Sequence, residues 1–313
     1  MRQTVQASVS CADLDAAIAA YEQFGLRLDM IMPADAPRLA LMSAAGVALR
    51  LELGGAQAPA IDRASPAFAI TRAGDAWGVG RAGMQYRDLI PGRLGGQVIA
   101  SHIRIPGGGP VPDYVHYHHV RFQMIYCAKG WVRVVYEDQG PPFVMNEGDC
   151  VLQPPGIRHR VLESSPGLEV IEVSAPAEHE TYRDHGLALP TPSVRTDRSY
   201  GGQTFVRHVA SSAEWHPAGR GFAVRDTGIA KASGQVGSVR VLRSGGGRLA
   251  LQPPASGVVC LIVLSGDARL RGEEGGSHRL TVGDACLIPF DDVFELEATS
   301  PCEILDVALV LDD

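Results

Sequence analysis

Histidine is missing from the first hundred residues of this chain of 313 residues. It then appears at positions 102, 116, 118, 119 and 159, half of the ten present. An imidazole-based site built from the first hundred residues is thereby excluded. The six cysteines (11, 127, 150, 260, 286 and 302) include no CxxC pair. That argues against a disulfide framework and reads instead as buried thiols in a reducing compartment. No apolar run approaches transmembrane length, and the first residues, Met1 to Ser8, lack the apolar core of a signal peptide. A cytoplasmic protein with no membrane partner is the expectation. Positive charge is also short: the formal net charge is −7, which argues against a nucleic-acid partner held by phosphate neutralisation. What remains is the composition of a globular protein, 45% hydrophobic and 20% charged, long enough for two or three domains.

The histidines concentrate in His116-Tyr-His-His-Val-Arg-Phe-Gln123. His116 and His118 stand two apart, so on a β-strand both side chains leave the same face, and His119 leaves the other. A second segment, Gly148-Asp-Cys-Val-Leu-Gln-Pro-Pro-Gly-Ile-Arg-His159, brings a further imidazole from a strand that follows a Pro-Pro-Gly bend. Neutral imidazoles converging inside a β-structure suit one divalent transition metal, and an open coordination position makes such a site reactive.

These two segments resemble the two motifs of the cupin superfamily. The first motif runs Gly, five residues, His-x-His, three or four residues, Glu, six residues, Gly. Here it reads His116-x-His118, four residues, Gln123, six residues, Gly130. The second runs Gly, five residues, Pro-x-Gly, two residues, His, three residues, Asn. Here it reads Gly148, five residues, Pro154-x-Gly156, two residues, His159, three residues, Glu163. Three positions depart from the pattern: the opening glycine is out of register in Gly107-Gly-Gly-Pro, Gln123 replaces a glutamate ligand, and Glu163 replaces the closing asparagine. The resemblance implies a jelly-roll β-barrel with His116, His118, His159 and Gln123 around a metal, with Fe(II) favoured over Ni, Mn, Co, Cu or Zn.

In chain order, residues 1–55 suggest a small α/β unit. A strand at Thr4 to Ser10 precedes a helix from Cys11 to Phe24 with Asp13 as its cap, and three further strands follow. This βαβββ order is similar to half of a glyoxalase-type (vicinal oxygen chelate) module, with Glu52 near the position of a family carboxylate. A docking or dimerisation appendage, and with it a homodimer, is the expected use. Residues 56–95, rich in Ala, Gly, Pro and Arg, read as a linker. Short strands punctuated by Gly and Pro over 96–176 read as the metal-binding jelly roll, and 177–203 as a second linker.

Residues 204–313 repeat the first barrel. Gly266-Asp-Ala-Arg-Leu matches Gly130-Trp-Val-Arg-Val, and Gly283-Asp-Ala-Cys-Leu-Ile-Pro matches Gly148-Asp-Cys-Val-Leu-Gln-Pro. On this alignment Gln252, Pro254, Val259 and Phe294 stand where His116, His118, Gln123 and His159 stand. The fold class expected is therefore mainly β, two cupin barrels in tandem behind a small N-terminal α/β unit, with one metal-bearing pocket.

Gln123 either ligates the metal through its amide oxygen or hydrogen-bonds to a metal-bound water; it cannot take a proton. Arg104 and Tyr126 are candidates to orient a substrate. Arg121 is a third candidate, and His102 shares a strand face with Arg104. Arg158 and Tyr117 should point away from the metal. No residue is assigned a catalytic role. Three functions compete: a mononuclear non-haem Fe(II) dioxygenase acting on a small chelating or anionic molecule, a metal-dependent isomerase or lyase, and a non-catalytic ligand-binding bicupin.

Overall fold

The computed structural model describes residues 5–54, 66–80, 83–251, 253–272 and 276–311. The first unit runs β1 (Val5–Cys11), α1 (Leu14–Gln23), β2 (Arg27–Met32), β3 (Leu39–Ala44) and β4 (Val47–Leu53). Asp13 caps the helix by accepting from the Ala16 amide at 2.9 Å. Leu14, Leu28, Ile31, Ala40, Met42, Leu49 and Leu51 form the unit's own core, as the alternation within its strands requires.

The segment expected as a linker over 56–95 carries strands instead. β5 (Ala69–Thr71) pairs with Ala285–Leu287 of the second jelly roll. β6 (Gly78–Val79) and β7 (Gln85–Asp88) extend the first one. Each covers a sheet edge whose backbone groups would otherwise lack partners. The first jelly roll continues with β8 (Ile99–Ile105), β9 (Gly109–Pro110), β10 (His116–His118), β11 (Phe122–Lys129) and β12 (Trp131–Tyr136). It is completed by β13 (Phe143–Asn146), β14 (Cys150–Leu152), β15 (His159–Ser164) and β16 (Leu168–Ala175). β10, β15, β12 and β13 form one sheet, and β14, β11, β16 and β8 the facing one. The two remain separate sheets of a jelly-roll sandwich and do not close into one barrel.

The second jelly roll has the same plan. Phe222–Asp226, Gly237–Ser244, Cys302–Val310, Gly257–Ser265 and Ala285–Pro289 make one sheet, opposite Gly247–Leu251, Phe294–Ala298, Ala268–Gly272 and Ser277–Leu280. The turn that opens the second motif recurs in atomic detail. Asp149 accepts from the amides of Asn146 and Ala210 at 2.9 and 2.8 Å. Asp284 accepts from Thr281 and Ala73 at 3.0 and 2.9 Å. In both turns the preceding glycine holds a positive φ, 90° at Gly148 and 83° at Gly283, which a side chain there would strain.

The largest core lies between the jelly rolls. Phe122, Met124, Tyr126, Ile171 and Val173 from the first pack against Val239, Val258, Cys260, Leu305 and Val307 from the second. One face of β11 is spent on this contact, so its alternate residues, Gln123 and Ile125, face the interior of the first jelly roll.

Residues 177–203 are likewise more than a linker. β17 (Thr181–Arg183) lies between β10 and β2, with His118 opposite Thr181 and Thr181 opposite Ile31. The N-terminal sheet is thus continuous with the sheet that carries His116 and His118, where an appendage was expected. β10 is three residues long and exposes an edge; β17 covers it and β2 covers β17 in turn.

Candidate metal centre

His116 and His118 point inward from β10, 6% and 8% exposed, and His159 opens β15 directly opposite His116, 5% exposed. The nitrogens the three rings offer a metal lie within 4.8 Å of one another, and no other group of three or more His, Cys, Asp or Glu residues among the described residues does this. Every ring has its Nδ1 committed. His116 Nδ1 meets the Tyr114 carbonyl at 2.8 Å, with Asp113 at 3.5 Å; His159 Nδ1 meets the Ile157 carbonyl at 3.1 Å. His118 Nδ1 lies 2.9 Å from the Thr181 hydroxyl. In His116 and His159 the nitrogen bonded to a carbonyl must carry the proton, which leaves Nε2 for a metal; the Thr181 hydroxyl can accept from His118 Nδ1 in the same way, and all three contacts orient their rings. The donor set therefore fits a divalent transition metal on its own geometry: three buried imidazoles, one nitrogen each, braced from behind.

Gln123, 2% exposed, lies beside the triad and has both ends of its amide occupied. Its oxygen accepts from Gln153 Nε2 at 3.0 Å, and its nitrogen donates to Glu172 at 2.8 Å. Gln153 in turn accepts from the Tyr136 hydroxyl at 2.8 Å and sits 3.2 Å from His159 Nε2. Burial pushes the Tyr136 phenol far above its ordinary range, so it remains a donor and the direction of this chain of bonds is set. Ser174 adds a second donor to Glu172 at 3.0 Å.

The triad opens on a cavity of about 170 Å³. Ile99, Ile103, Ile125, Val134, Met145, Val161 and Val170 supply apolar wall, with Glu172 and His179 among the polar groups. No Lys or Arg stands among the described residues of the lining. Ala34 and Asp35 of the N-terminal unit close one side.

Arg104 and Tyr126 lie outside this cavity. On β8 the inward positions are Ile99, Ser101, Ile103 and Ile105, so Arg104 faces outward, its guanidinium 4.2 Å from the Trp77 ring and 3.3 Å from Glu169. His102 shares that outer face, 2.8 Å from Glu169. Tyr126 belongs to the core between the jelly rolls. Arg121 donates to the Val310 carbonyl at 2.6 Å and ties the two jelly rolls together. His119 is exposed against Glu180 at 3.5 Å. Tyr117 stacks on Tyr182 with Arg158 against its ring at 4.3 Å, both turned away from the triad. Glu172 and His179 are the additions to the site. A carboxylate in register with Leu168 and Val170 on β16 is a signal only once that face is known to look inward; His179 lies in a stretch without periodicity.

In the second jelly roll Val259 and Phe294 are buried in an apolar cluster, at 3% and 8% exposure. Pro254 is half-buried, and Gln252 lies outside the described residues. Glu52 is ion-paired with Arg50 on the N-terminal sheet at 2.5 Å and is not part of the cavity lining.

The cupin domain family model matches residues 101–173. No curated protein sequence matches the chain. Among solved structures, a Lactobacillus farciminis oxalate decarboxylase in complex with formate superposes with a TM-score of 0.57 at 14% identity, over 80% of this chain and 88% of that one. A deletion mutant of Bacillus subtilis oxalate decarboxylase gives 0.55 at 15%, over 78% and 77%. The E. coli protein Ylba gives 0.55 at 13%, over 82% and 96%. At such identities the likeness is one of fold. Coverage near four-fifths exceeds what either jelly roll alone spans, so both superpose, and the sequence match falls on the one that carries the histidines. Residues 101–173 form a cupin domain, and the chain as a whole has the fold of these two-jelly-roll cupin structures.

Proposed function

We propose that this chain is a metal-dependent cupin enzyme, a mononuclear non-haem Fe(II) dioxygenase whose substrate is small, largely apolar and presents chelating oxygens. The observation that carries the reading is the contrast within one cavity: three braced imidazoles against aliphatic walls, with no Lys or Arg among the described lining residues. A substrate of high negative charge would find no cation there besides the metal. A compact apolar body with an enol or diketone head matches both the lining and a volume of about 170 Å³, since a dry cavity of roughly 150 Å³ accommodates a benzene-sized guest. Held by His116, His118 and His159, a divalent metal supplies a Lewis-acid position for substrate oxygens. The protein's own contributions are orientation and exclusion of water. Tyr136, Gln153, Gln123 and Glu172 form a fixed polar strip beside the triad, and the aliphatic walls keep the rest dry.

A lyase is the second reading, and Glu172 favours it. The base that glutamine at position 123 cannot provide is supplied by a carboxylate hydrogen-bonded to that same glutamine. The oxalate decarboxylases among the structural neighbours have the same overall fold. Elemental analysis of untagged protein comes first. About one metal per chain is expected, lost on replacing His116 and His118 by Ala and kept in His119→Ala. The metal-loaded protein is then assayed with 1,3-diketones for oxygen uptake and, anaerobically, with oxalate for CO₂ release. Uptake stoichiometric with diketone consumption supports the dioxygenase. CO₂ release without oxygen uptake overturns it in favour of the lyase.

A further inference from the structure

His179 is 6% exposed, lines the cavity, and its Nε2 has no hydrogen-bond partner. Buried polar atoms are seldom left in this state, because the lost hydration goes uncompensated. The ring is also placed with care. Its Nδ1 donates to the Pro176 carbonyl at 2.9 Å, so in the neutral imidazole Nε2 carries the lone pair and is an acceptor. It packs edge-on against His118, ring centroids 5.3 Å apart, yet it stands outside the group of nitrogens that converge within 4.8 Å. The segment that bears it is pinned on both sides. Ala177 donates to the Gly96 carbonyl at 3.0 Å, Glu178 is ion-paired with Arg38, and the His119 amide donates to the Glu180 carbonyl at 3.0 Å. A rigid acceptor next to a metal ligand, on the wall of a predominantly apolar cavity, is built to be met by a donor.

We infer that His179 is a specificity-determining residue: its Nε2 accepts a hydrogen bond from a hydroxyl or N–H group that the substrate carries alongside its chelating oxygens. This rests on the reading of the triad as a metal site, and it narrows the substrate class. A ligand with chelating oxygens alone leaves Nε2 unpaired; one with an adjacent donor satisfies it. Rejection of the analogue that lacks the donor follows from the unpaired acceptor left behind.

A matched pair of small chelators tests this: acetohydroxamate, which keeps an N–H beside its two oxygens, and N-methylacetohydroxamate, which does not. Both are titrated into cobalt(II)-loaded protein and followed by the visible cobalt band, with cobalt content measured separately. His179→Asn keeps an N–H near the position of Nδ1 and deletes the acceptor; His179→Gln returns an amide oxygen near the position of Nε2. The wild type should prefer the N–H chelator over its N-methyl partner by about tenfold more than His179→Asn does, at equal cobalt content, and His179→Gln should recover part of the difference. Comparing variants cancels any clash of the methyl group itself. An equal preference ratio in wild type and His179→Asn, with cobalt bound to both, overturns the assignment of His179 and leaves the metal site standing. A wild type that takes up no cobalt overturns the metal site and this inference together. Should His179→Asn fail to fold, His179→Phe deletes the acceptor at similar volume and carries the same comparison.

Discussion

At the scale of single residues, Gln123 and Glu172 form an amide–carboxyl pair, 2.8 Å apart, in which only one member can ionise. Changing Gln123 to Glu places two carboxyl groups at that distance. Like charges so close raise the proton affinity of one of them, so the variant should share a proton across the pair and lose apo-protein stability by about 1–3 kcal/mol near neutral pH. Adding Glu172→Gln restores one amide and one carboxylate in exchanged positions, and should recover most of that loss. Urea unfolding of the two single variants and the double one measures this coupling; strictly additive effects would remove Gln123 and Glu172 from a common network. The convergence of the three histidines was legible in the sequence because its information is local: two histidines two apart, and a third after a bend with a motif's spacing. Glu172 and His179 were harder to read, since which face of β16 looks inward depends on the partner sheet, and His179 is placed by pairing with a distant unit. Arg104 and Tyr126 were expected near the substrate for the same reason. Each lies on the outward face of a strand whose alternate residues do line the cavity.

At the scale of elements, the repeated Gly-Asp turns make the duplication readable in sequence, and the structure adds that the two interiors are chemically opposite. The first gathers three histidines and a polar strip; where they stand, the second has an apolar cluster, with Phe294 stacked on Phe68 at a centroid distance of 4.7 Å. Phe294→Ala should therefore destabilise the protein by about 3–5 kcal/mol through the cavity it leaves. His159→Ala should cost metal-free protein less than this while removing the metal. Thermal unfolding of both apo-variants checks this division, and it fails if they lose stability equally. The segment at 177–203, read from sequence as a linker, straps itself to the turn after β12 through Asp138. Burial draws the Asp138 carboxyl upward, but hydrogen bonds involving Arg198, Arg195, Thr191 and Ser193 outweigh that and hold it at about 2. A carboxyl depressed on folding stabilises the protein above its unfolded value near 4 and ceases to do so as pH falls through its folded value. Stability should fall steeply between about pH 4 and pH 2, and Asp138→Asn should flatten that fall. Urea midpoints measured across this range would expose an unchanged slope in the variant.

At the scale of the whole molecule, the N-terminal unit, the 177–203 segment and the sheet that carries His116 and His118 form one continuous structure. The unit's βαβββ order could be read from alternation and a helix cap; its attachment could not, because strand pairing between residues 30 and 182 leaves no local pattern. Its physical effect runs through β17. Arg38 of the unit is ion-paired with Glu178, three residues before Thr181, and the Thr181 hydroxyl meets His118 Nδ1. Thr181→Val removes that support directly and should weaken metal binding by about 10–100-fold, as loss of a ligand's outer partner does. Arg38→Ala leaves every group that touches the triad in place, yet releases the strand end that positions Thr181. It should weaken metal binding in the same direction by a smaller factor. Because both act through His118, their effects should not add: once Thr181 is Val, replacing Arg38 has little left to disturb. Metal affinities of the wild type, the two single variants and the double variant decide the matter by competition with a chelator. If Arg38→Ala binds metal as tightly as the wild type, the N-terminal unit covers an edge and closes a cavity wall without reaching the ligands.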